Sequence, residues 1–105
     1  MNLERIIEEY PNILIINDYD DAIIGLAERI GMEPVIAYDR NKVIDILAKD
    51  MNITLSDLSD SELNNGISLQ DKKYELAEEY FEYNIAGAYM GEFTPIFINT
   101  NYIYD

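Results

Sequence analysis

The chain sets 21 Asp and Glu against 7 Lys and Arg over 105 residues, a net charge of −14. A field of that one sign draws in basic partners and repels nucleic acid and anionic membrane. The sequence contains no Cys and no His, which excludes disulfides, thiolate metal sites, cysteine nucleophiles, the usual zinc ligation and any Ser-His or Cys-His base.

Leu3, Ile6, Ile7 and Tyr10 recur at helical spacing with Glu4, Glu8 and Glu9 between them, so residues 2–10 are expected to form a short amphipathic helix that stops before Pro11. Ile13, Leu14, Ile15 and Ile16 are apolar and mostly β-branched, which predicts a short buried strand, and residues 17–21 read as a turn. Residues 22–38 fit either a helix closed by Gly31, with Gly25 inside it at a cost of roughly 1 kcal/mol, or a hairpin. In the hairpin, 22–28 pairs with 34–38 across a turn at Gly31, Met32 and Glu33, and Gly25 marks a bulge. The hairpin is preferred.

Asp39 is placed to cap a helix from Arg40 to about Met51, with Val43, Ile46 and Leu47 as its apolar stripe and Ile44 and Met51 at the edge. Residues 52–70 are rich in Ser, Asp and Asn. They predict a surface excursion with at most one short helix, started at 54–57, and a turn at Asn64, Asn65 and Gly66. A second helix is expected from about Asp71 to Ala86, weakened at Gly87 and Gly91 and ended by Thr94 and Pro95. Ile96, Phe97 and Ile98 then read as a strand, which residues 102–104 either extend or fray from. Apolar residues at 49%, with nine Tyr and three Phe, suffice for one core. The expected fold is α+β in a single acidic domain, 1–105: a short N-terminal helix and a small sheet, made of a hairpin and a C-terminal strand, packed on two main helices. The longest apolar run is too short to span a bilayer and the first residues have no cationic apolar signal, which reads as cytoplasmic.

From Tyr74 onward there is no Lys or Arg. On the second helix, Ala77, Tyr80, Phe81, Asn84 and Ala88 are expected on the core face, and Glu75, Glu78, Glu79 and Glu82 on the opposite one. Like charges four apart cost a helix roughly 0.2–0.5 kcal/mol per pair, so this ridge lacks a folding reason. It is either a plainly solvated face or a surface that meets Lys and Arg of a partner. Spanning only about 10 Å at 1.5 Å rise per residue, it replaces one or two phosphate spacings at most. Asp18, Asp20 and Asp21 are candidates to extend it. Those aspartates also suit a divalent cation, but no twelve-residue calcium loop follows them, so the plainer reading is a turn whose carboxylates bond backbone amides, and no metal or other cofactor is expected. Tyr80, Tyr83 and Tyr89, beside Phe81 and Phe93, read first as core and helix edge. An exposed Tyr83 next to the ridge would instead serve as an interface anchor.

Three stretches stand out: Tyr19 to Gly25 (YDDAIIG), Pro34 to Asp39 (PVIAYD), and Glu79 to Ile85 followed by Gly87 to Phe97 (EYFEYNI, GAYMGEFTPIF). They resemble a family of small bacteriophage proteins without an assigned activity. The resemblance covers roughly 18–50 and 72–98, and the last block is the most specific. It implies the hairpin and a phage origin, hence the cytoplasm of a host cell, and it transfers no catalytic residue. The family joins its two helices by a short acidic link, whereas this chain has the longer stretch 52–70, which leaves that connection open.

The reading these features favour is a non-enzymatic, phage-encoded binding protein that inhibits or redirects a host protein, such as a CRISPR or nuclease defence component with a basic surface. The expected contact residues are Glu75, Glu78, Glu79, Glu82, Tyr83, Asp18, Asp20 and Asp21, with no direct nucleic acid and no membrane. The alternatives are a small-molecule-sequestering module with a Tyr-lined pocket, a Mg-dependent enzyme using Asp18, Asp20, Asp21 and Asp39, and a homo-oligomer.

Overall fold

The computed structural model describes residues 3–102. The fold is α+β, with four α-helices and a three-stranded sheet among the described residues. The chain divides into two compact units: Met1–Val43 with Tyr89–Asp105, and Ile44–Ala88.

The first unit is built on the sheet. Its N-terminal helix α1 spans Leu3–Glu9 and buries Ile6. The chain then turns at residues 11–12 and runs through Ile13 to Ile16 without joining any ladder, so the expected strand is absent. The apolar run is used for burial rather than for pairing. Ile13 is buried, and Ile16 donates its backbone N–H to the Tyr38 hydroxyl at 2.8 Å. A single 3-10 turn, Asp20–Ala22, follows with Ala22 buried.

Strands β1 (Ile23–Arg29) and β2 (Met32–Asp39) form the hairpin. The turn is shorter than expected, only Ile30 and Gly31, and Gly31 takes φ +78, the left-handed region that a two-residue hairpin turn requires. Met32 and Glu33 already belong to β2. Two irregularities interrupt the antiparallel register, one between Ile23 and Gly25 and one between Ala27 and Arg29. The first is the bulge expected at Gly25. The second places Pro34, which has no N–H to give a ladder, at a break in pairing. Between them Gly25, Leu26 and Ala27 pair regularly with Ala37, Ile36 and Val35.

Strand β3 (Ile96–Ile98) adds to β2 in parallel, giving the order β1-β2-β3. The central strand is buried on both faces from Pro34 to Tyr38, which is why it reads as a continuous apolar run. Tyr38 stacks on Phe97 with ring centroids 5.8 Å apart. Thr100–Tyr102 form a 3-10 turn, so Tyr102 does not extend β3, and the rest of the expected 102–104 extension lies outside the described residues.

Helix α2 spans Arg40–Lys49 and carries the chain from the first unit into the second. Asp39 caps it as expected, its Oδ1 accepting from the N–H of Asn41 at 3.0 Å and of Lys42 at 3.2 Å. The buried stripe is Val43, Ile44 and Ala48, so Ile44 sits at its centre rather than its edge, with Ile46 and Leu47 half-buried beside it.

In the second unit, residues 52–70 hold two short helical elements instead of one at most: a 3-10 turn at Leu55–Asp57 and helix α3 at Asp60–Asn64. Both begin with a capping box, Thr54 with Asp57 and Ser59 with Glu62. The turn expected at Asn64 to Gly66 closes α3, with Gly66 at φ +75. Helix α4 starts at Leu69, two residues earlier than expected, because Ser68 and Asp71 form a third capping box. It runs to Tyr80 and continues as a wider π-helical segment, Phe81–Ala86.

Candidate functional site

Helix α4 positions the acidic ridge. Ala77 and Phe81 are buried, Ile85 is half-buried, and Glu75, Glu78, Glu79 and Glu82 are all exposed. The core face differs from the expected one. Tyr80 is 49% exposed and Asn84 is exposed, while Ala88 is only half-buried. Tyr80 closes the regular helix, and beyond it the wider turn of the π segment moves the side-chain phase away from the 3.6-residue repeat, keeping the row 77, 81, 85 inward while Asn84 turns out. Asn84 donates its side-chain amide to the Tyr80 carbonyl at 3.2 Å instead of entering a core.

The aromatic residues are corrected in the same way. Tyr83 is 84% exposed and Tyr89 82% exposed, so neither is core, and Phe81 alone of the group is fully buried, with Phe93 half-buried. Tyr83 stands on the helical run that bears the ridge. Tyr89 belongs to the other unit.

Asp71 in the first turn of α4 suits the helix dipole, but the C-terminal part is charged against it: the last turn holds Glu78 and Glu79 and no basic residue, and Glu82 follows in the π segment. Cations at a helix N-terminus and anions at its C-terminus are each unfavourable by about 0.3–1 kcal/mol at low ionic strength. Lys72 is held in place by Glu62 of α3, Nζ to Oε2 at 2.8 Å, with both side chains about four-fifths shielded. That contact, assisted by the Ser59 backbone N–H, lowers the Glu62 carboxyl from 4.5 to about 2. The same pairing raises the Lys72 ammonium, helped by the nearby charges of Glu75 and Glu79. Lys72, near Glu75 and Glu79 of the ridge, is thus paired directly with Glu62 of α3.

Asp18, Asp20 and Asp21 lie in the first unit and are exposed. Asp18 takes φ +77, a conformation Asp tolerates better than most residues. Asp20 and Asp21 form the 3-10 turn before β1 and, with Leu3 and Ile23, line a cavity of about 340 Å³. A smaller cavity of about 190 Å³ is lined by Gly31, Met32, Glu33, Glu92 and Phe93. Among the described residues no group of three or more acidic side chains is arranged to hold a metal ion. Asp39 is occupied as a helix cap and also accepts from the Thr100 hydroxyl at 3.2 Å. No helix among the described residues is long and apolar enough to cross a membrane.

No family model, no curated protein and no solved structure matches the chain.

Proposed function

We propose that the protein is a non-enzymatic binding module whose α4 face docks on a basic surface of another protein and thereby inhibits or redirects it. The observation that carries this reading is the exposed row Glu75, Glu78, Glu79 and Glu82 beside a Tyr83 that is almost fully solvated. An arrangement that works against the helix dipole and repeats like charges at i, i+4 has a stability cost, and an exposed aromatic adds apolar surface to water. Both are the features of a contact patch: acidic rims steer approach, and a Tyr buried on contact slows departure. The resemblance to phage proteins extends the proposal to a host target, with a defence protein of the CRISPR or nuclease kind as its most specific form. Such a contact would bury on the order of 1,600 Å² in total.

The test is capture from bacterial lysate on the immobilised chain at low and high salt, with three baits: wild type, Glu78→Lys with Glu82→Lys, and Glu8→Lys with Glu9→Lys on α1. The reading expects a protein captured at low salt, weakened by salt and by the α4 reversal, and retained by the α1 reversal. Equal losses from both reversals would mean that bulk charge, not α4, attracts the partner.

A further inference from the structure

The sheet of the first unit has one long open side. Strand β1 is an outer strand, and among the described residues Ile24 to Arg29 make no backbone hydrogen bond outside the β1–β2 ladder. Unpaired N–H and C=O groups along a strand edge are a template for another extended chain. Ile24 adds apolar surface there, 48% exposed. The bulges at either end restrict the regular stretch to Gly25, Leu26 and Ala27, which admits one short segment and discourages open-ended stacking of sheets.

Charge selects the occupant. Asp20 and Asp21 stand at the start of the edge, beside the 340 Å³ cavity that they line with Leu3 and Ile23, and Glu28 stands near its far end. Arg29 closes the strand with the opposite sign. A second copy of this chain brings another −14 to the same edge, so self-pairing is opposed by long-range repulsion. An extended segment with a Lys or Arg over Asp20 and Asp21 is favoured instead, since backbone pairing supplies affinity and the side-chain position supplies register. We propose that the open edge of β1 accepts a basic, extended segment of a partner protein as an added strand, with a basic side chain seated against Asp20 and Asp21. The proposal concerns β1 of the first unit and does not rest on α4.

The probe is an alternating Lys-Val peptide of about ten residues, ample for the edge at roughly 3.4 Å per residue. Two comparison peptides accompany it: the Glu-Val counterpart, and a fully N-methylated Lys-Val peptide, which keeps the charge but has no backbone donor. Binding by fluorescence anisotropy is expected for Lys-Val alone, with N-methylation weakening it by about tenfold or more. Backbone amide exchange should slow at residues 24–27 on binding and stay unchanged along α4. Asp20→Asn with Asp21→Asn, both at exposed positions, should weaken Lys-Val severalfold, while Glu78→Lys with Glu82→Lys should leave the discrimination against the N-methylated peptide intact. The proposal is overturned by equal binding of the N-methylated peptide, by protection on α4 instead of β1, by no binding of Lys-Val, or by concentration-dependent protection of β1 without peptide, which would identify a second copy as the occupant.

Discussion

Tyr38 joins the sheet to the chain that runs past it. Its ring stacks on Phe97, and its hydroxyl accepts the Ile16 N–H at 2.8 Å. Burial raises its phenol above the ordinary 10, Asp20 adds to the rise, and the Ile16 bond partly opposes it. The native state therefore favours the neutral phenol, so this stabilisation is complete below pH 10 and is lost as pH rises through the folded value. Tyr38→Phe should keep the stack, leave the Ile16 N–H without its acceptor, cost about 1–3 kcal/mol, and flatten the alkaline fall in stability; urea melts at neutral and alkaline pH would show both. Phe81, 1% exposed, gives the contrast between core and ridge. Phe81→Ala should cost about 3–5 kcal/mol, while Glu78→Gln and Tyr83→Ala should stay within about 0.5 kcal/mol. A large loss of stability in Tyr83→Ala would contradict its exposed placement. Phe81 and the ridge glutamates were legible because they lie on opposite sides of a strong periodic helix. Tyr80, Tyr83 and Tyr89 are not legible in this way, because a phenol ring suits core and surface alike.

At the level of elements, local chemistry was the reliable guide and pairing was not. The hairpin, its bulge at Gly25, the Asp39 cap and the turn at Gly66 all follow from residues that solve a local backbone problem. Ile13 to Ile16 has strand composition, but a strand also needs a partner strand in register beside it, and no local signal shows that this run stays outside the β1-β2-β3 ladders. The short elements of 52–70 leave little trace in the sequence for a related reason. Each is too short for periodicity, and only the capping spacings Thr54 to Asp57 and Ser59 to Glu62 announce them. The Glu62–Lys72 pair fastens α3 to α4 across ten positions of sequence. Glu62 is depressed from 4.5 to about 2, so its contribution is present above pH 4.5 and is lost as pH falls toward 2. Glu62→Gln should lower stability at neutral pH and converge with wild type near pH 2, measured by urea midpoints across that range. Ser68→Ala should cost about 0.5–2 kcal/mol through the α4 cap. Amide exchange would locate that loss at residues 69–72.

For the whole molecule the controlling quantity is the net charge. Both units share the excess of carboxylates: residues 1–43 with 89–105 carry 11 Asp and Glu against 4 Lys and Arg, and residues 44–88 carry 10 against 3. Self-repulsion of this kind destabilises the compact state, and it is screened as the Debye length falls from about 30 Å at 0.01 M salt to about 3 Å at 1 M. The melting temperature should therefore rise with NaCl in the free protein. Glu78→Lys with Glu82→Lys lowers the repulsion directly, so that variant should start higher at low salt and gain less from added salt. A basic ligand that binds the native state more tightly than the unfolded chain offers the same relief, and its effect should run the other way: polylysine should raise the melting temperature at low salt and lose its effect as salt is added. The two salt dependences cross, which separates them in one set of thermal scans. A free protein whose melting temperature ignores salt would mean that its charges are already compensated within the fold, and the steering field on which a basic partner depends would be absent with it.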